Sequence, residues 1–388
     1  MAGRLRILLL LPSIGRIGGT ERVVGNLAHV FGEMGHEVAI ASFDDPKRQP
    51  TLAANGGTFA LGAPPRLPLL LRMLEYRQAS RALRGFKQRW RPDVTISNLW
   101  RADLISQLSG GGDRKIALCH INVRDNPRNR MMMRARPLVA RVYRRFERVI
   151  AVTAPLAAEL RALYRLAPER ATHIDNFTLT PPVDPVPPPA GVARFVWVGR
   201  LVAEKNLEGL LPIWARFVRE GARAQLVVLG DGELRARALA QARALGLRLG
   251  AIADPDAQLV FVGAVANPQD YVAPARALLL SSRAEGMGLV LAEAMALGCP
   301  VLAADCPPGG VRAVLTDDPR AVATGFGAVL PVPGAGDAAA DALWLDWLAR
   351  AAEARDAACW RAAALRRAER FAPATAARAW GAVLEALV

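Results

Sequence analysis

A pair of cations lies in one short glycine-containing segment of the second half of the chain. Arg200 and Lys205 fall within residues 199–206, whose sequence is GRLVAEKN. Arginine can grip a phosphate through two parallel hydrogen bonds and lysine acts as a point charge, so the pair is typical of a diphosphate site. Both cations would also stabilise the negative charge that grows on a departing nucleoside diphosphate. Two solvated surface cations are the alternative, but the position directly after a predicted strand favours binding.

A glycine-rich loop leads into an apolar helix at residues 285–293, with the sequence EGMGLVLAE. Glu293 is the only charged residue between Gly286 and Ala304. The helix is therefore predicted to be buried, and the carboxylate to need a partner such as the two hydroxyls of a ribose or, alternatively, a buried cation. Glu285 precedes the helix and is placed for the hydroxyls of a donor sugar. Further hydrogen-bond donors are the free amides at the helix start, those of Gly286, Met287, Gly288 and Leu289.

A glycine pair opens the first predicted helix, in the segment Gly18-Gly19-Thr20 that follows the first predicted strand. Glycine lets the backbone approach a ligand closely, and a helix N-terminus favours phosphate oxygens. Thr20 is predicted to cap the helix. A plain tight turn is the alternative. The segment is not a G-x-G-x-x-G sequence, so no nicotinamide or flavin cofactor is indicated.

A single histidine, His120, is predicted to end a strand of the first half. At that position it could contact a sugar or help to manage a proton, although a lone histidine is more often structural. Asp254 and Asp256 formally match the D-x-D metal motif that some sugar transferases carry. They stand in a proline turn before a strand, without a histidine or further carboxylates nearby. We therefore expect no metal ion.

The elements that must position these residues alternate between short β-rich runs and helical patterns. Such alternation predicts parallel sheets covered by helices, whose ligands bind at the carboxyl ends of the strands. Six prolines at residues 181–189 predict a stiff linker between two halves, and the sequence from residue 341 onward is predicted to be helical. The predicted strands span residues 5–11, 37–43, 93–97, 115–120, 148–152, 194–198, 225–229, 259–262, 277–281 and 301–304.

The composition of the 388 residues suits a globular protein with large cores, since 52% are hydrophobic and 22% charged. The first apolar run, residues 7–11, is too short to span a membrane and is interpreted as a strand rather than a signal peptide, so a cytoplasmic protein is expected. The scattered cysteines indicate neither a disulfide framework nor a zinc site. These are Cys119, Cys299, Cys306 and Cys359.

With these residues, the sequence resembles family 4 of the retaining glycosyltransferases, which have the GT-B fold. The resemblance covers nearly the whole chain. It rests on GGTERVV at 18–24, GR at 199–200, EKN at 204–206, GDG at 230–232, the 285–293 segment and CPV at 299–301. It implies an α/β protein with two Rossmann-like, doubly wound domains that face each other across a cleft. We expect an N-terminal acceptor domain at residues 1–180, a C-terminal donor domain at 190–373, and a last helix at 374–388 that packs back on the first domain.

The resemblance also implies a role for each candidate residue in an α-retaining transfer without a metal or other cofactor. Arg200 and Lys205 would bind the diphosphate, Glu285 the donor sugar and Glu293 the ribose, and His120 would lie near the anomeric centre. The predicted catalytic residues are His120, Glu285, Arg200 and Lys205. The predicted donor-binding residues are Gly18, Gly19, Thr20, Arg200, Glu204, Lys205, Val262, Gly286, Met287, Gly288, Leu289 and Glu293.

Two segments, AEAMALG at 292–298 and DCPPG at 305–309, are most similar in sequence to bacterial enzymes that build lipid-linked glycans. Pro308 stands where those relatives have serine, which leaves the donor sugar open. The expected reaction moves a hexose or N-acetylhexosamine from a UDP-sugar, or secondly a GDP-sugar, to a glycan acceptor that is lipid-linked. Alternatives are an inactive nucleotide-sugar-binding subunit and a nucleic-acid-binding protein. No nucleic-acid-binding motif supports a nucleic-acid-binding protein. The joint presence of Arg200, Lys205, Glu285 and Glu293 argues against an inactive subunit.

The net charge lies entirely in the first half of the chain. Residues 1–180 hold 29 Lys and Arg against 14 Asp and Glu, which is the whole +15, whereas residues 181–388 hold 21 of each. An arginine-rich segment, residues 128–148, also carries an apolar stripe. We expect it to bind the anionic inner face of the cell membrane, unless the stripe packs on the sheet. The predicted membrane-contact residues are Arg134, Arg141, Arg144, Arg145 and Arg148, beside Arg128, Arg130 and Arg136. The stripe consists of Leu138, Val139, Val142, Tyr143 and Phe146.

Overall fold

The chain folds into two compact units, which a computed structural model describes at residues 3–15, 18–44, 52–62, 72–121, 124, 130–334, 336–353 and 357–387. Unit 1 comprises Met1–Thr178 together with Ala372–Val388, and unit 2 comprises Leu179–Phe371. Within the described residues no helix has both the length and the apolar character needed to cross a membrane.

Unit 1 is built on a parallel seven-stranded sheet in the order β3-β2-β1-β4-β5-β6-β7. Its strands are β1 (Arg6–Leu11), β2 (Glu37–Ser42), β3 (Thr58–Ala60), β4 (Val94–Asn98), β5 (Arg114–Cys119), β6 (Arg148–Ala151) and β7 (Ala171–His173). Its helices up to the last strand are α1 (Gly19–Glu33), α2 (Arg72–Trp90), α3 (Trp100–Ser109), α4 (Arg130–Arg134), α5 (Arg136–Tyr143) and α6 (Ala154–Tyr164). Five leucines or isoleucines in β1 are fully buried, as expected of a central parallel strand covered on both faces.

Unit 2 repeats the same strand order in a six-stranded sheet, β10-β9-β8-β11-β12-β13, whose strands are also parallel. Its strands are β8 (Ala193–Val198), β9 (Ala224–Leu229), β10 (Leu259–Gly263), β11 (Ala277–Leu280), β12 (Val301–Ala304) and β13 (Gly327–Leu330). Its helices are α7 (Leu207–Arg219), α8 (Arg235–Ala244), α9 (Gln269–Val272), α10 (Leu289–Ala296), α11 (Gly310–Leu315), α12 (Ala338–Glu353) and α13 (Ala357–Ala368). Both sheets are thus Rossmann-like, which confirms the predicted fold class.

The strands that sequence patterns miss are the short ones at or near sheet edges, β3, β7 and β13. β3 and β7 have only three residues each, and their partly exposed positions break the apolar run. The ten longer predicted strands are present with bounds that shift by one residue at most. Pairing with a neighbour, rather than local propensity, forms the three missed strands.

The last helix of the chain, α14 (Pro373–Glu385), packs within unit 1. The buried Trp380 meets Phe31 of α1 edge to face, with ring centroids 5.5 Å apart. Such aromatic contact adds to the area buried by the two rings.

The proline-rich segment 181–189 has no helix or strand but is bound to unit 2 through its backbone. The amides of Asp184 and Val186 donate to the side chain and the carbonyl of Asp270, both at 2.9 Å. Arg194, which is almost fully buried, donates to the Val186 carbonyl. These bonds fix a segment whose prolines already restrict the backbone.

Candidate active site

The two predicted cations of unit 2 lie after β8, at the carboxyl edge of the sheet. Arg200 is exposed, and its guanidinium has no hydrogen-bond or ion-pair partner among the described residues. Lys205 ends a short 3₁₀-helix, Ala203–Lys205, and its ammonium forms an ion pair with Glu285, which follows the adjacent strand β11. Strand adjacency therefore brings together two segments that are 80 residues apart in the sequence.

Glu285 is held from two sides. Its Oε1 forms the ion pair with the Lys205 ammonium and accepts a hydrogen bond from Ser282 Oγ at 2.7 Å. Its backbone amide donates to the Pro307 carbonyl at 3.2 Å. Its side chain is 11% exposed and that of Lys205 is 24% exposed. A carboxylate so fixed can accept hydrogen bonds from ligand hydroxyls, because its second oxygen retains acceptor capacity.

Asn206 connects the Lys205 loop to β11. Its backbone is left-handed, with φ of 53°. Its side-chain Nδ2 donates to the backbone carbonyls of Ser281 and Pro333 at 3.1 and 3.0 Å. Ser281 Oγ donates in turn to the Lys205 carbonyl at 2.9 Å and accepts from Trp197. Ser281, Ser282 and Trp197 are supporting residues that sequence reasoning missed. The first two directly follow a strand, which is the signal that would have found them.

Two backbone contacts bring the loops around this edge close together. A Cβ atom on Gly230 would stand 1.8 Å from the Gly199 carbonyl oxygen, and one on Gly310 would stand 1.9 Å from the Gly286 carbonyl oxygen. No side chain fits at either point. Glycine is therefore required at Gly230 and Gly310 for steric reasons.

The start of α10 presents backbone donors to the same edge. Gly288 precedes the helix in a left-handed conformation with φ of 76°. In the described part of the chain the amides of Met287, Gly288 and Leu289 donate to no backbone carbonyl. The Gly286 amide cannot be counted with them, because Gly286 takes part in an interaction of its own. Three free donors at a helix N-terminus suit an anionic or hydroxyl-bearing ligand.

The predicted burial of the α10 segment on every face is incomplete. Leu291, Ala292, Ala294 and Met295 are buried, but Glu293 is only half-buried, on a stripe with Leu289 and Val290. The apolar side chains on this stripe misled the prediction, because hydrophobicity alone does not show where a helix face ends at a ligand site. Glu293 makes a further interaction within the protein.

The remaining donor-side residues occupy neighbouring positions. Val262 lies near the carboxyl end of β10 and is half-buried, and the Glu204 carbonyl accepts a hydrogen bond from the Arg283 amide at 2.8 Å.

Asp254, of the D-x-D sequence, lies elsewhere: its carboxylate accepts a hydrogen bond from the Asp256 amide at 2.9 Å and so closes a turn. The described residues contain no group of three or more His, Cys, Asp or Glu that could hold a metal ion. The four cysteines are free.

In unit 1 the glycine pair opens α1 at the carboxyl end of β1. The helix begins at Gly19 and Gly18 is its cap, so the prediction of Thr20 as the cap is wrong. The reason is Glu21, whose carboxylate reaches back to the Gly18 amide at 2.9 Å. The acid at the third helical position thereby accepts a hydrogen bond from the amide of the cap residue itself, which is the Glu half of a capping box.

His120 follows β5 at the same edge of the unit 1 sheet. Its Nε2 lies 2.8 Å from Asn98 Oδ1, and its Nδ1 is shielded from solvent with no hydrogen-bond partner among the described residues. The residue as a whole is half-buried, but its ring nitrogens are covered, and desolvation lowers the pKa of His120 to about 4. The imidazole is therefore neutral at pH 7.

The apolar stripe of α5 packs into unit 1. Val139, Val142, Tyr143 and Phe146 are buried, whereas Leu138 is 63% exposed. Packing of the stripe inside the protein, which was the alternative to a membrane-facing stripe, is therefore what the structure has for these four residues. Tyr143 OH donates to the buried Asp103 carboxyl at 3.0 Å and anchors the helix further.

The arginines of this segment are mostly in solvent. Arg134, Arg136, Arg141, Arg144 and Arg145 are exposed, and Arg148 is half-buried. Arg144 donates to the Tyr164 carbonyl and Arg148 to the Glu147 carbonyl. Arg128 and the side chains of Arg130 and Met131 lie outside the described residues.

Two sequence families match the two units separately. The family described as Glycosyltransferase Family 4 matches residues 17–178, and the family described as Glycosyl transferases group 1 matches residues 193–343. Together they cover both Rossmann-like sheets.

Named relatives come from bacterial polysaccharide synthesis. The chain is 24% identical over 330 residues to the amylovoran biosynthesis glycosyltransferase AmsD of Erwinia amylovora, which covers 81% of this chain and 84% of that protein. It is 31% identical over 131 residues to the Vi polysaccharide biosynthesis protein VipC/TviE of Salmonella typhi. That match spans 32% of this chain and only 21% of the relative's length.

Solved structures share the fold over the whole chain. The apo form of the lipopolysaccharide outer core galactosyltransferase WaaB superposes with a TM-score of 0.70 at 20% identity, covering 99% of this chain and 100% of that one. Alr3699/HepE of Anabaena, in complex with UDP and glucose, gives 0.71 at 17% identity and covers 99% and 100%. With both units matched by sequence and the fold matched by structure, the chain belongs to the family 4 glycosyltransferases and has the GT-B fold.

Proposed function

We propose that this glycosyltransferase transfers a hexose or N-acetylhexosamine from a nucleoside-diphosphate sugar, with retention of the anomeric configuration, to a lipid-linked glycan acceptor in cell-surface polysaccharide assembly. The observation that carries the donor side is the arrangement at the carboxyl edge of the unit 2 sheet. There, a lysine–carboxylate pair follows the adjacent strands β8 and β11, together with an arginine and helix amides that have no partner within the part of the chain that the structure describes. Two cations with amide donors suit a diphosphate, and a fixed carboxylate suits a sugar.

Each residue has one role in this proposal. Arg200 and Lys205 bind the diphosphate and stabilise the charge that it gains as the sugar leaves. Glu285 and the α10 amides bind the donor sugar, Glu293 the ribose, and His120 contacts the sugar near its anomeric centre. The Lys205 ammonium has three N–H donors, so it would divide its hydrogen bonds between Glu285 and the diphosphate once the diphosphate binds.

UDP is the favoured nucleotide and GDP the second candidate. UDP is supported by the structure of Alr3699/HepE, a protein of the same fold that was solved in complex with UDP and glucose. A metal-free reaction is proposed because the two cations can supply the positive charge that a divalent ion would otherwise provide. Turnover is then expected to persist in EDTA, and a loss that magnesium or manganese restores would refute this part of the proposal.

A lipid-linked acceptor and attachment to the inner face of the cell membrane are supported by the charge of unit 1 and by the polysaccharide pathways of the named relatives. Four exposed arginines of the segment have no hydrogen-bond partner among the described residues, Arg134, Arg136, Arg141 and Arg145. At about 1 kcal/mol for each cation near an anionic leaflet, they would give about 4 kcal/mol, or roughly a thousandfold in partitioning. Since the α5 stripe is buried, the attachment would be mainly electrostatic.

A thermal-shift screen tests the donor. UDP, GDP and their hexose and N-acetylhexosamine conjugates are added to the full chain at about 100 times the dissociation constant, which stabilises a protein by about 2.7 kcal/mol. We expect uridine compounds to raise the melting temperature most, and the shift to shrink in Arg200→Ala. The Arg216→Ala variant is a matched control, because Arg216 is exposed and pairs with the equally exposed Glu220 four residues further along the chain. Stabilisation by no nucleotide would contradict the proposal.

Sedimentation with vesicles tests the membrane. Binding to vesicles with phosphatidylglycerol is expected to exceed binding to neutral vesicles and to fall at high salt. It should also fall when Arg134, Arg136, Arg141 and Arg145 are changed to Gln. Equal binding to both vesicle types would remove the membrane part and leave the donor part intact.

A further inference from the structure

Three adjacent strands of unit 1 end at a buried asparagine. Asn98 is the last residue of β4, between β1 and β5, and its side chain is fully buried. Its Nδ2 donates to the carbonyls of Leu10 and Ile96, at 3.1 and 3.3 Å. Carbonyl oxygens only accept, so these two bonds identify the amino end of the amide and leave Oδ1 pointing away from both carbonyls.

The oriented amide determines which nitrogen of His120 carries the hydrogen. Asn98 Oδ1 lies 2.8 Å from His120 Nε2 and can only accept a hydrogen bond. Nε2 must therefore be the protonated nitrogen. In a neutral ring Nδ1 then carries a lone pair. Desolvation keeps the ring neutral at pH 7, because it lowers the pKa of His120 to about 4.

The remaining ring nitrogen lacks a donor. Nδ1 of His120 is shielded from solvent and accepts no hydrogen bond from any described residue. A shielded acceptor without a donor is unfavourable until one reaches it. A hydroxyl is the donor that a sugar supplies. Among the described residues, no other histidine has a ring nitrogen that is both shielded from solvent and without a hydrogen-bond partner.

We propose that Asn98 is a positioning residue that holds His120 as the Nε2–H tautomer, so that Nδ1 accepts a hydrogen bond from a hydroxyl of the donor sugar and His120 transfers no proton. The assignment decides between the two roles open to His120 from sequence, contact with the sugar and management of a proton. It rests on the proposed function only for the identity of the hydroxyl. The tautomer itself is a property of the free protein.

Nitrogen NMR on the full chain with ¹⁵N-labelled histidine tests the tautomer without substrate. His120, identified by the signal lost in His120→Gln, should show a protonated Nε2 and an unprotonated Nδ1 from about pH 6 to pH 8. His36 is an internal reference, because its Nδ1 accepts the Leu5 amide at 3.3 Å and must be unprotonated too. A protonated Nδ1 on His120, or a titration within this range, would overturn the proposal.

Two substitutions separate positioning from a purely structural role. Asn98→Asp keeps an oxygen for Nε2–H, whereas Asn98→Leu removes it; both lose the donors to Leu10 and Ile96. We expect Asn98→Leu to give mixed tautomers and to lower kcat/KM for the donor about tenfold, the effect of one hydrogen bond. Asn98→Asp should keep the Nε2–H tautomer and recover most of the activity at alkaline pH. Equal losses in both variants, with the tautomer unchanged in Asn98→Leu, would refute positioning.

The result separates from that of the donor screen. If no nucleotide-sugar binds but His120 is Nε2–H, the proposed function fails and the tautomer assignment stands. If the donor binds and turns over while Nδ1 carries the hydrogen, the positioning role of Asn98 fails alone. Melting temperatures of both Asn98 variants identify a variant that has not folded, and the wild-type spectrum then decides.

Discussion

Two polar pairs of unit 1 and the two cations of the unit 2 candidate site differ in the freedom that the fold leaves them. In unit 1 they are buried and bonded in one arrangement, as in the Asn98–His120 pair and in the pair of Lys87 and Asp113, whose side chains are 4% and 2% exposed. In unit 2 Arg200 is exposed and Lys205 is partly exposed in an ion pair. The difference indicates that unit 1 fixes geometry at a cost in desolvation, whereas unit 2 keeps charge available to exchange partners.

The largest effect that tests this contrast is a loss of stability in unit 1. Asp113 accepts Lys87 at 2.7 Å and Lys115 at 3.4 Å, and burial lowers the pKa of Lys87 to about 8 despite the nearby carboxylate. Asp113→Ala would leave buried ammonium groups without a counter-charge and is expected to cost about 3–5 kcal/mol in urea unfolding. The control is Asp317→Ala, whose side chain is 77% exposed beside Arg367, with an expected cost of about 1 kcal/mol or less. Similar costs for both would remove the contrast.

The next effect is on turnover and belongs to unit 2. Arg200→Ala and Lys205→Ala should each lower kcat about a hundredfold or more, because each removes stabilisation of the leaving diphosphate. The melting temperature of Arg200→Ala should change little, since Arg200 is exposed, whereas Lys205→Ala leaves the Glu285 carboxylate without its cation and should lower the melting temperature more. Steady-state kinetics with the donor identified by the screen provide the measurement, and Arg216→Ala serves again as the control. Wild-type turnover in either variant would show that the mutated residue does not bind the leaving diphosphate.

The pH dependence of stability sharpens the description of unit 1. Asp103 is fully buried, and desolvation raises its pKa to about 8, against the hydrogen bonds from Ser97 and Tyr143. Between the unfolded pKa near 4 and the folded pKa the native state holds a proton that the unfolded state lacks. Stability from this group therefore falls as pH rises, by about 1.4 kcal/mol per pH unit. Asp103→Asn should lack this slope in urea unfolding at pH 5, 6 and 7. Parallel pH profiles for variant and wild type would contradict the buried neutral carboxyl.

The smallest effect concerns the ribose. Glu293→Gln keeps the shape and removes the charge, so it should weaken nucleotide binding about tenfold, the loss of one charge-assisted hydrogen bond. Glu285→Gln should instead lower mainly kcat, because Glu285 is assigned to the sugar. Calorimetry with the nucleoside diphosphate measures the first and kinetics the second. Unchanged affinity in Glu293→Gln would show that the ribose role is wrong.

The positions of the donor-side candidates at strand ends were predictable from sequence, because they lie in two short segments. Arg200 and Lys205 share one loop, and Glu285 and the α10 amides share another, and both loops follow predicted strands. Their roles in binding the donor came from the family resemblance and stay predictions. What the sequence could not show is the pairing of Lys205 with Glu285, which depends on strands β8 and β11 being neighbours. The exposure of Glu293 was also missed, since apolar residues that border a site look the same as core residues.

The supporting residues of unit 1 were harder to predict. Asn98 and His120 are 22 residues apart, and only the parallel pairing of β4 with β5 joins them. Hydrophobic periodicity shows that the α5 stripe needs an apolar partner but not which partner that is, so its burial within unit 1 could not be decided from sequence. Short strands such as β3 exist only through tertiary pairing.

The glycine contacts around the unit 2 loops have a consequence for the energetics of ligand capture. Because Gly230 meets the Gly199 carbonyl and Gly310 meets the Gly286 carbonyl with no room for a Cβ atom, the backbone that would receive a nucleotide is interlocked before any ligand arrives. A ligand then has little main-chain entropy to remove, which favours affinity for a given set of contacts. In the proposed donor site, discrimination between donors would then come from side chains that can rotate, and engineering of a new sugar preference would start from these side chains rather than from the loops.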